Sequence, residues 1–142
     1  MESLQKTQIT VQTQVNAPVE KVWESYTEPE HIVQWNSASP DWHTPYATND
    51  LQPGGSFVSR MEAKDGSIGF DFGGVYQDVV QYELISYIME DGRRARITFE
   101  EENQKTRVEV VFDAEEMNPI EMQHDGWQAI LDNFKSYTES HD

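Results

Sequence analysis

A single long amphipathic helix at the end of an otherwise strand-like chain leaves few folds open, and the stretch EMQHDGWQAILDNFKSY, Glu121 to Tyr137, encodes that helix. Trp127, Ile130, Leu131 and Phe134 recur at i, i+3, i+4 and i+7, which gathers them on one stripe, while Gln128, Asp132 and Lys135 fall away from it. Asn118 and Pro119 suit the N-cap and N1 positions, and Glu121 sets negative charge at the positive end of the macrodipole, so the helix is predicted to start near Asn118. Gly126 sits mid-helix, where it costs roughly 1 kcal/mol against alanine; this predicts another segment passing close to the helix backbone. Most of what precedes the helix reads as β-strand, and one apolar stripe must bury itself against something. One sheet curled around one helix, an α+β architecture, meets both requirements.

The preceding strands can be placed by their alternation and their turns. Ile9, Val11, Thr13 and Val15 alternate with Thr10, Gln12 and Gln14, the period of a half-buried strand. After Asn16, the segment NAPVEKVWESYT opens a helix with Pro18 near N1 and an apolar stripe of Val19, Val22, Trp23 and Tyr26. A second short helix is predicted from Pro29 to Gln34, with Thr27 as its cap. Residues 36–52 read as a loop rich in Ser, Pro, Asn, Thr and Asp, and its Trp42 and Tyr46, with Trp35 at the entrance, predict a packed lid or edge.

Beyond Pro53 the register follows from three turns. A turn at Asp65-Gly66 pairs Met61 with Phe70, Ser59 with Phe72 and Phe57 with Gly74 on one face, and sends Arg60 and Asp71 to the other. Asp91-Gly92, treated the same way, pairs Ile88 with Ala95, Ser86 with Ile97 and Leu84 with Phe99, and turns Tyr87 and Arg96 outward. A loop from Glu102 to Lys105 sets Phe99 against Val108, Ile97 against Val110 and Ala95 against Phe112, with Glu100 and Arg107 outside. The expectation is an antiparallel meander with one apolar concave face, closed at its edge by the Ile9 strand.

Composition removes several functions. The 142 residues predict one domain over 1–142. A formal net charge of −16 repels nucleic acid and anionic membranes, both of which are bound chiefly through Lys and Arg. The absence of cysteine rules out disulfides, thiolate metal sites and a cysteine nucleophile. With no long apolar run and no signal-peptide core, the expected location is cytoplasmic, with no membrane partner.

The order of strand, two short helices, meander and long terminal helix resembles the START-like (SRPBCC, helix-grip) superfamily, and within it the branch of activator of heat-shock-protein ATPase homologue (AHSA)-like domains. The matching stretches are NAPVEKVWESYTEPEHIVQWN at 16–36, LQPGGSF at 51–57, GGVYQDVV at 73–80 and QHDGWQAILDNFKSY at 123–137. Gln123, Gly126 and Trp127, the Q-x-x-G-W of the helix, are the most distinctive of these. The resemblance implies a curved antiparallel sheet wrapped around the C-terminal helix, with a cavity between them that in most family members binds a hydrophobic small molecule and in some serves an enzyme.

Candidate ligand-contacting residues are Trp35, Trp42, Met61, Phe70, Phe72, Trp127 and Ile130, with Gln123 as an orienting polar group, the usual make-up of a small-molecule site. The competing role for the aromatics is core filling. The histidines His31, His43, His124 and His141 lack the spacing of a zinc site, and the Gly pairs at 54–55 and 73–74 lack a phosphate-loop framework, so no metal and no cofactor is expected. The glycine pairs fit strand bending or close approach of the helix. No catalytic residue is assigned. The first functional reading is a binding protein for a hydrophobic or aromatic molecule, monomer or dimer. A hydrolase or cyclase would need a carboxylate or histidine inside the apolar pocket, and a chaperone-interacting module of the stress response would need an exposed patch.

Overall fold

The computed structural model describes residues 7–37 and 39–140; His141 lies outside them. In chain order the elements are β1 (Gln8–Val15), α1 (Val19–Thr27), α2 (Pro29–Trp35), β2 (Trp42–Asn49), β3 (Ser56–Ala63), β4 (Gly69–Val80), β5 (Leu84–Met89), β6 (Arg94–Glu102), β7 (Lys105–Asp113) and α3 (Ile120–Ser140). The seven strands form one antiparallel sheet in the order β1-β7-β6-β5-β4-β3-β2. The meander edged by the Ile9 strand is therefore observed. The sheet's concave face packs against α3, and Phe112, Phe134, Ile97, Val11, Val15 and Val108 are wholly buried there, in one core with Val22 of α1.

Two of the three hairpins have the expected register. Met61 pairs with Phe70, Ser59 with Phe72 and Arg60 with Asp71. The β3–β4 loop runs over 64–67, closed by the Ala63 N–H donating to the Ile68 carbonyl, and is centred on Asp65-Gly66, so pairing is the same as for a two-residue turn. At the β6–β7 turn, Asn103 and Gln104 both take left-handed φ, 57° and 64°, closing a tight two-residue loop that sets Phe99 against Val108.

The β5–β6 hairpin corrects the expectation by one residue. Tyr87 faces Ala95 and Ile85 faces Ile97, so Ile85, Tyr87 and Met89 point into the core and Leu84, Ser86 and Ile88 do not. The cause is the turn: Met89 N–H donates to the Arg93 carbonyl and Gly92 adopts φ 89°, a three-residue loop Glu90-Asp91-Gly92 in place of a two-residue one. One extra residue exchanges the two faces of a strand.

Other boundaries also move. Residues 42–49 form an edge strand, not a loop, with a bulge between His43 and Tyr46 that accommodates Pro45. Thr27 does not cap α2; its hydroxyl donates to the Trp23 carbonyl inside α1, and Glu28 occupies the N-cap of α2, which reaches Trp35. Pro18 occupies the N-cap position of α1, and the first helical N–H, that of Val19, donates to the Glu101 carboxylate of β6 at 2.7 Å. Helix α3 begins at Ile120, with Pro119 just outside it accepting from the Gln123 N–H.

The expected crowding at Gly126 is absent. A Cβ there meets no atom within 4 Å beyond the backbone of its own helix, whereas at Gly74 it would lie 2.4 Å from the Ile88 carbonyl oxygen and at Gly73 2.6 Å from that of Phe57. The close approach is between neighbouring strands, not between a strand and the helix.

The polar side of α3 is not idle. Gln128 exchanges hydrogen bonds with the N–H and carbonyl of Gln12, Lys135 donates to the Gln14 carbonyl, and Glu139 accepts from the Asn16 N–H. These side chains cover the outer backbone groups of β1, an edge that would otherwise offer itself to another strand.

Candidate ligand cavity

Between α3 and the sheet lies a cavity of about 580 Å³. Helix α3 supplies Met122, Gln123, Gly126, Trp127, Ile130 and Leu131; the sheet supplies Phe57, Ser59, Met61, Phe70, Phe72, Tyr76, Ile85, Tyr87 and Val110; α1 and α2 supply Tyr26, Ile32 and Trp35, and β2 adds Trp42. All eight residues singled out in the sequence are in this lining. Their spacing explains the convergence: odd positions of β3 and even positions of β4 pair on the concave face, and the α3 stripe lies opposite.

Their individual roles differ. Trp35 is buried, its indole N–H donates to the Ser25 carbonyl at 2.9 Å, and its ring contacts Tyr26 and Phe134 at 5.2 and 5.0 Å, so it forms a fixed wall. Trp127 stacks on Phe112 and meets Phe72 edge-on at 6.1 Å. Phe70 is 47 % exposed and stands 6.0 Å from the half-buried Trp42; with the exposed Met122 it marks the cavity's rim instead of filling the core.

Gln123 is already committed. Its Oε1 accepts from the Glu115 N–H at 2.9 Å, and its Nε2 donates to the carbonyls of Glu115 at 3.1 Å and Asn118 at 2.8 Å. Both donors are used, so the side chain straps the β7–α3 connection beside the cavity.

Three tyrosines, Tyr26, Tyr76 and Tyr87, also line the cavity and went unnoticed in the sequence. Tyr87 was hidden by the misplaced β5 register; for Tyr26 the helical stripe gave the facing but no hint of a polar role. The Tyr76 hydroxyl donates to Asn49 Oδ1 at 2.5 Å, and Asn49 in turn donates to the Thr27 carbonyl. Among the described residues the hydroxyls of Tyr26, Tyr87 and Ser59 find no protein partner, and they are not sealed from water: the buried side-chain oxygen without a partner is Thr138 Oγ1. Burial pushes all three phenols well above their ordinary pKa, and the proximity of Tyr26 raises Tyr76 and Tyr87 further, so they remain neutral donors.

Charged groups stay at the margin. The Arg93 guanidinium binds the Asp91 carboxylate at 2.7 Å, and Glu115 accepts from the Asn118 N–H at 2.7 Å. No histidine or aspartate is among the lining residues. His31 lies 2.5 Å from the Tyr137 hydroxyl, His43 3.7 Å from Glu62 and His124 3.1 Å from Asp125. Among the described residues, Glu24, Glu28 and His31 form one group with the reach to share a cation, but none of them lines the cavity.

A curled antiparallel sheet gripping a C-terminal helix over a cavity defines the helix-grip class. The chain belongs to the family of activator of Hsp90 ATPase homolog 1-like proteins, whose model matches residues 16–139. It is similar to an AHSA1-like protein from Aeromonas hydrophila, known from a solution structure, with 40 % identity over 96 % of this chain and 98 % of that one and a TM-score of 0.88. A Cytophaga hutchinsonii protein matches at 52 % identity over 95 % and 96 % of the two chains, TM-score 0.81. A Nitrosomonas europaea protein, 20 % identical over 92 % of each chain with a TM-score of 0.77, shares the fold. The search of curated proteins returns no match. No helix among the described residues is long and apolar enough to cross a membrane.

Proposed function

We propose that this protein binds an apolar or aromatic small molecule in the cavity between α3 and the sheet. The observation that carries the reading is the cavity itself. Its volume, about 580 Å³, falls in the range of small-molecule sites, roughly 300–1,000 Å³, and its walls are aromatic and aliphatic with a few placed hydroxyls. Aromatic side chains of this size would interdigitate if they served only as core. Binding is favoured over catalysis because, among the described residues, no histidine or aspartate lines the cavity and its charged lining residues, Arg93 and Glu115, are each engaged with a neighbour at the rim.

The test combines native mass spectrometry of freshly purified protein with titration of a neutral fluorescent dye. A retained small molecule, or saturable dye binding that Ile130→Trp abolishes by filling the space, supports the proposal. Dye binding that Ile130→Trp leaves unchanged would place the dye on the surface and overturn it.

A further inference from the structure

Beside the amides and the charged Arg93 and Glu115 in its lining, the mostly apolar cavity offers a few hydroxyls, and two of these, on Tyr26 and Tyr87, stand out. Tyr87 is 7 % exposed, and its ring is wedged edge-on against Phe57 at 4.7 Å and against Tyr76 at 6.3 Å. Tyr26 is fixed among Trp35, Phe99 and Phe134, at 5.2, 5.6 and 5.1 Å. Neither ring has freedom to swing its hydroxyl elsewhere. The contrast with Tyr76, whose hydroxyl is satisfied by Asn49 inside the fold, is informative. Among the described residues the side-chain oxygen sealed from water without a partner is that of Thr138, so the Tyr26 and Tyr87 hydroxyls open onto the cavity they line, and a ligand that displaces water there must offer them an acceptor in its place.

We infer that Tyr26 and Tyr87 together recognise a neutral oxygen acceptor, a carbonyl or phenolic oxygen, carried on an aromatic or otherwise apolar skeleton. This rests on the reading of the cavity as a small-molecule site and narrows its ligand class.

Neutrality follows from the surroundings. An anionic group would be stripped of water in the cavity, and the guanidinium that lines it, Arg93, is spent on Asp91 and approaches the Asp113 carbonyl at 3.5 Å. The net charge of −16 adds a long-range repulsion to anions. The donor role follows from the same burial: the phenols keep their protons, and a phenol O–H offers its hydrogen to a carbonyl without needing a charge.

The experiment compares 2-acetylnaphthalene with 2-isopropenylnaphthalene, which has nearly the same shape but no oxygen, and with 2-naphthoate. Dissociation constants are measured for the unmodified protein, Tyr26→Phe, Tyr87→Phe and the double variant. The quantity read is the ratio of ketone to alkene affinity, because it cancels any general loosening of the cavity. That ratio should fall about two- to tenfold for each hydroxyl removed, the range of a single net hydrogen bond. Naphthoate should bind more weakly than the ketone. A ratio unchanged within twofold in the double variant, with the alkene still bound, overturns this inference and leaves the cavity reading standing. Tighter binding of naphthoate overturns the neutral class, and binding of none of the three overturns both readings. The variants should melt no lower than the parent, since the lost hydroxyls have no partner in the fold. Should either variant misfold, the infrared carbonyl stretch of the ketone bound to the unmodified protein decides: lowered from its value in hexane it supports the inference, and unshifted it sinks it.

Discussion

Trp127 lies flat on Phe112, ring centroids 3.9 Å apart and planes 13° from parallel, so the first half of α3 is stacked on the C-terminal end of β7. Phe112 is wholly buried, and Trp127 is half-buried because its remaining surface faces the cavity. One residue thus serves as both rivet and wall. Replacing Trp127 by alanine should cost about 2–4 kcal/mol, below the top of the range for large aromatic truncations because part of the ring already faces empty space. Trp127→Phe should retain more than half of that. Denaturant melts of the two variants check the order, and equal losses would show that a phenyl ring at 127 recovers none of the contact with Phe112.

Gln123 gives a second prediction. Gln123→Ala removes three hydrogen bonds to the backbone of Glu115 and Asn118, at 2.9, 3.1 and 2.8 Å. The two residues are not deeply buried, so water will replace part of the loss. The expected cost is about 1–3 kcal/mol, with faster amide exchange confined to 114–119. Unchanged exchange there would mean that the connection is held by something other than this amide.

Much of the fold was legible because one face of the sheet is apolar and two of the three assigned turns hold an even number of residues. The β3–β4 and β6–β7 pairings follow from Asp65-Gly66 and Asn103-Gln104, where a longer loop centred on the same point keeps the same register. The β5 strand was not legible. Its sequence LISYIM carries apolar residues on both faces, so hydrophobicity alone does not choose between registers, and the choice falls to whether the loop holds two residues or three. The cavity lining was legible as an apolar set because a wall and a core have the same composition. What separates them is whether the opposing side chains meet, a property of shape that no residue pattern encodes. For that reason the aromatics were found and the unpartnered tyrosine hydroxyls were missed.

Alkaline pH should unfold the protein earlier than the loss of surface charge pairs alone would. An unfolded tyrosine ionises near pH 10, while burial holds Tyr26, Tyr76 and Tyr87 protonated to higher pH in the folded state. Below pH 10 both states carry the proton and the stability from these groups is intact. Above it the unfolded chain releases protons that the folded one keeps, so stability falls, by up to roughly 4 kcal/mol per pH unit when all three ionise only on unfolding. Tyrosinate absorbance should rise together with loss of the circular dichroism signal. Ionisation of the three phenols while the fold persists would contradict their burial.

Gly74 tests the sheet. An added methyl would lie 2.4 Å from the Ile88 carbonyl oxygen, a backbone atom in a paired strand that has little room to retreat. Gly74→Ala should destabilise by about 1–3 kcal/mol, as overpacking does, and lower the melting temperature by several degrees. No change in melting would show that β4 and β5 separate locally at little cost.

Gly126 should respond with the opposite sign. The sequence predicted a crowded helix backbone there and hence a destabilising alanine, but the structure leaves the site open, with no atom beyond the backbone of its own helix within 4 Å of a built Cβ. Alanine then gains helix propensity and restricts the unfolded chain without meeting a neighbour, so Gly126→Ala should stabilise by up to about 1 kcal/mol. The glycine nevertheless lines the cavity between Met122 and Ile130, one turn from each, so a side chain at 126 grows toward the ligand's space. Gly126→Leu should keep most of that stability yet weaken binding of a neutral dye severalfold, while Gly126→Ala weakens it little. Thermal melts and dye titrations on the two variants separate the effects. Should leucine leave dye binding untouched, position 126 faces solvent and the mouth of the cavity lies further toward Phe70 and Trp42; should alanine destabilise, the helix is tighter against its surroundings than the open space around its backbone allows.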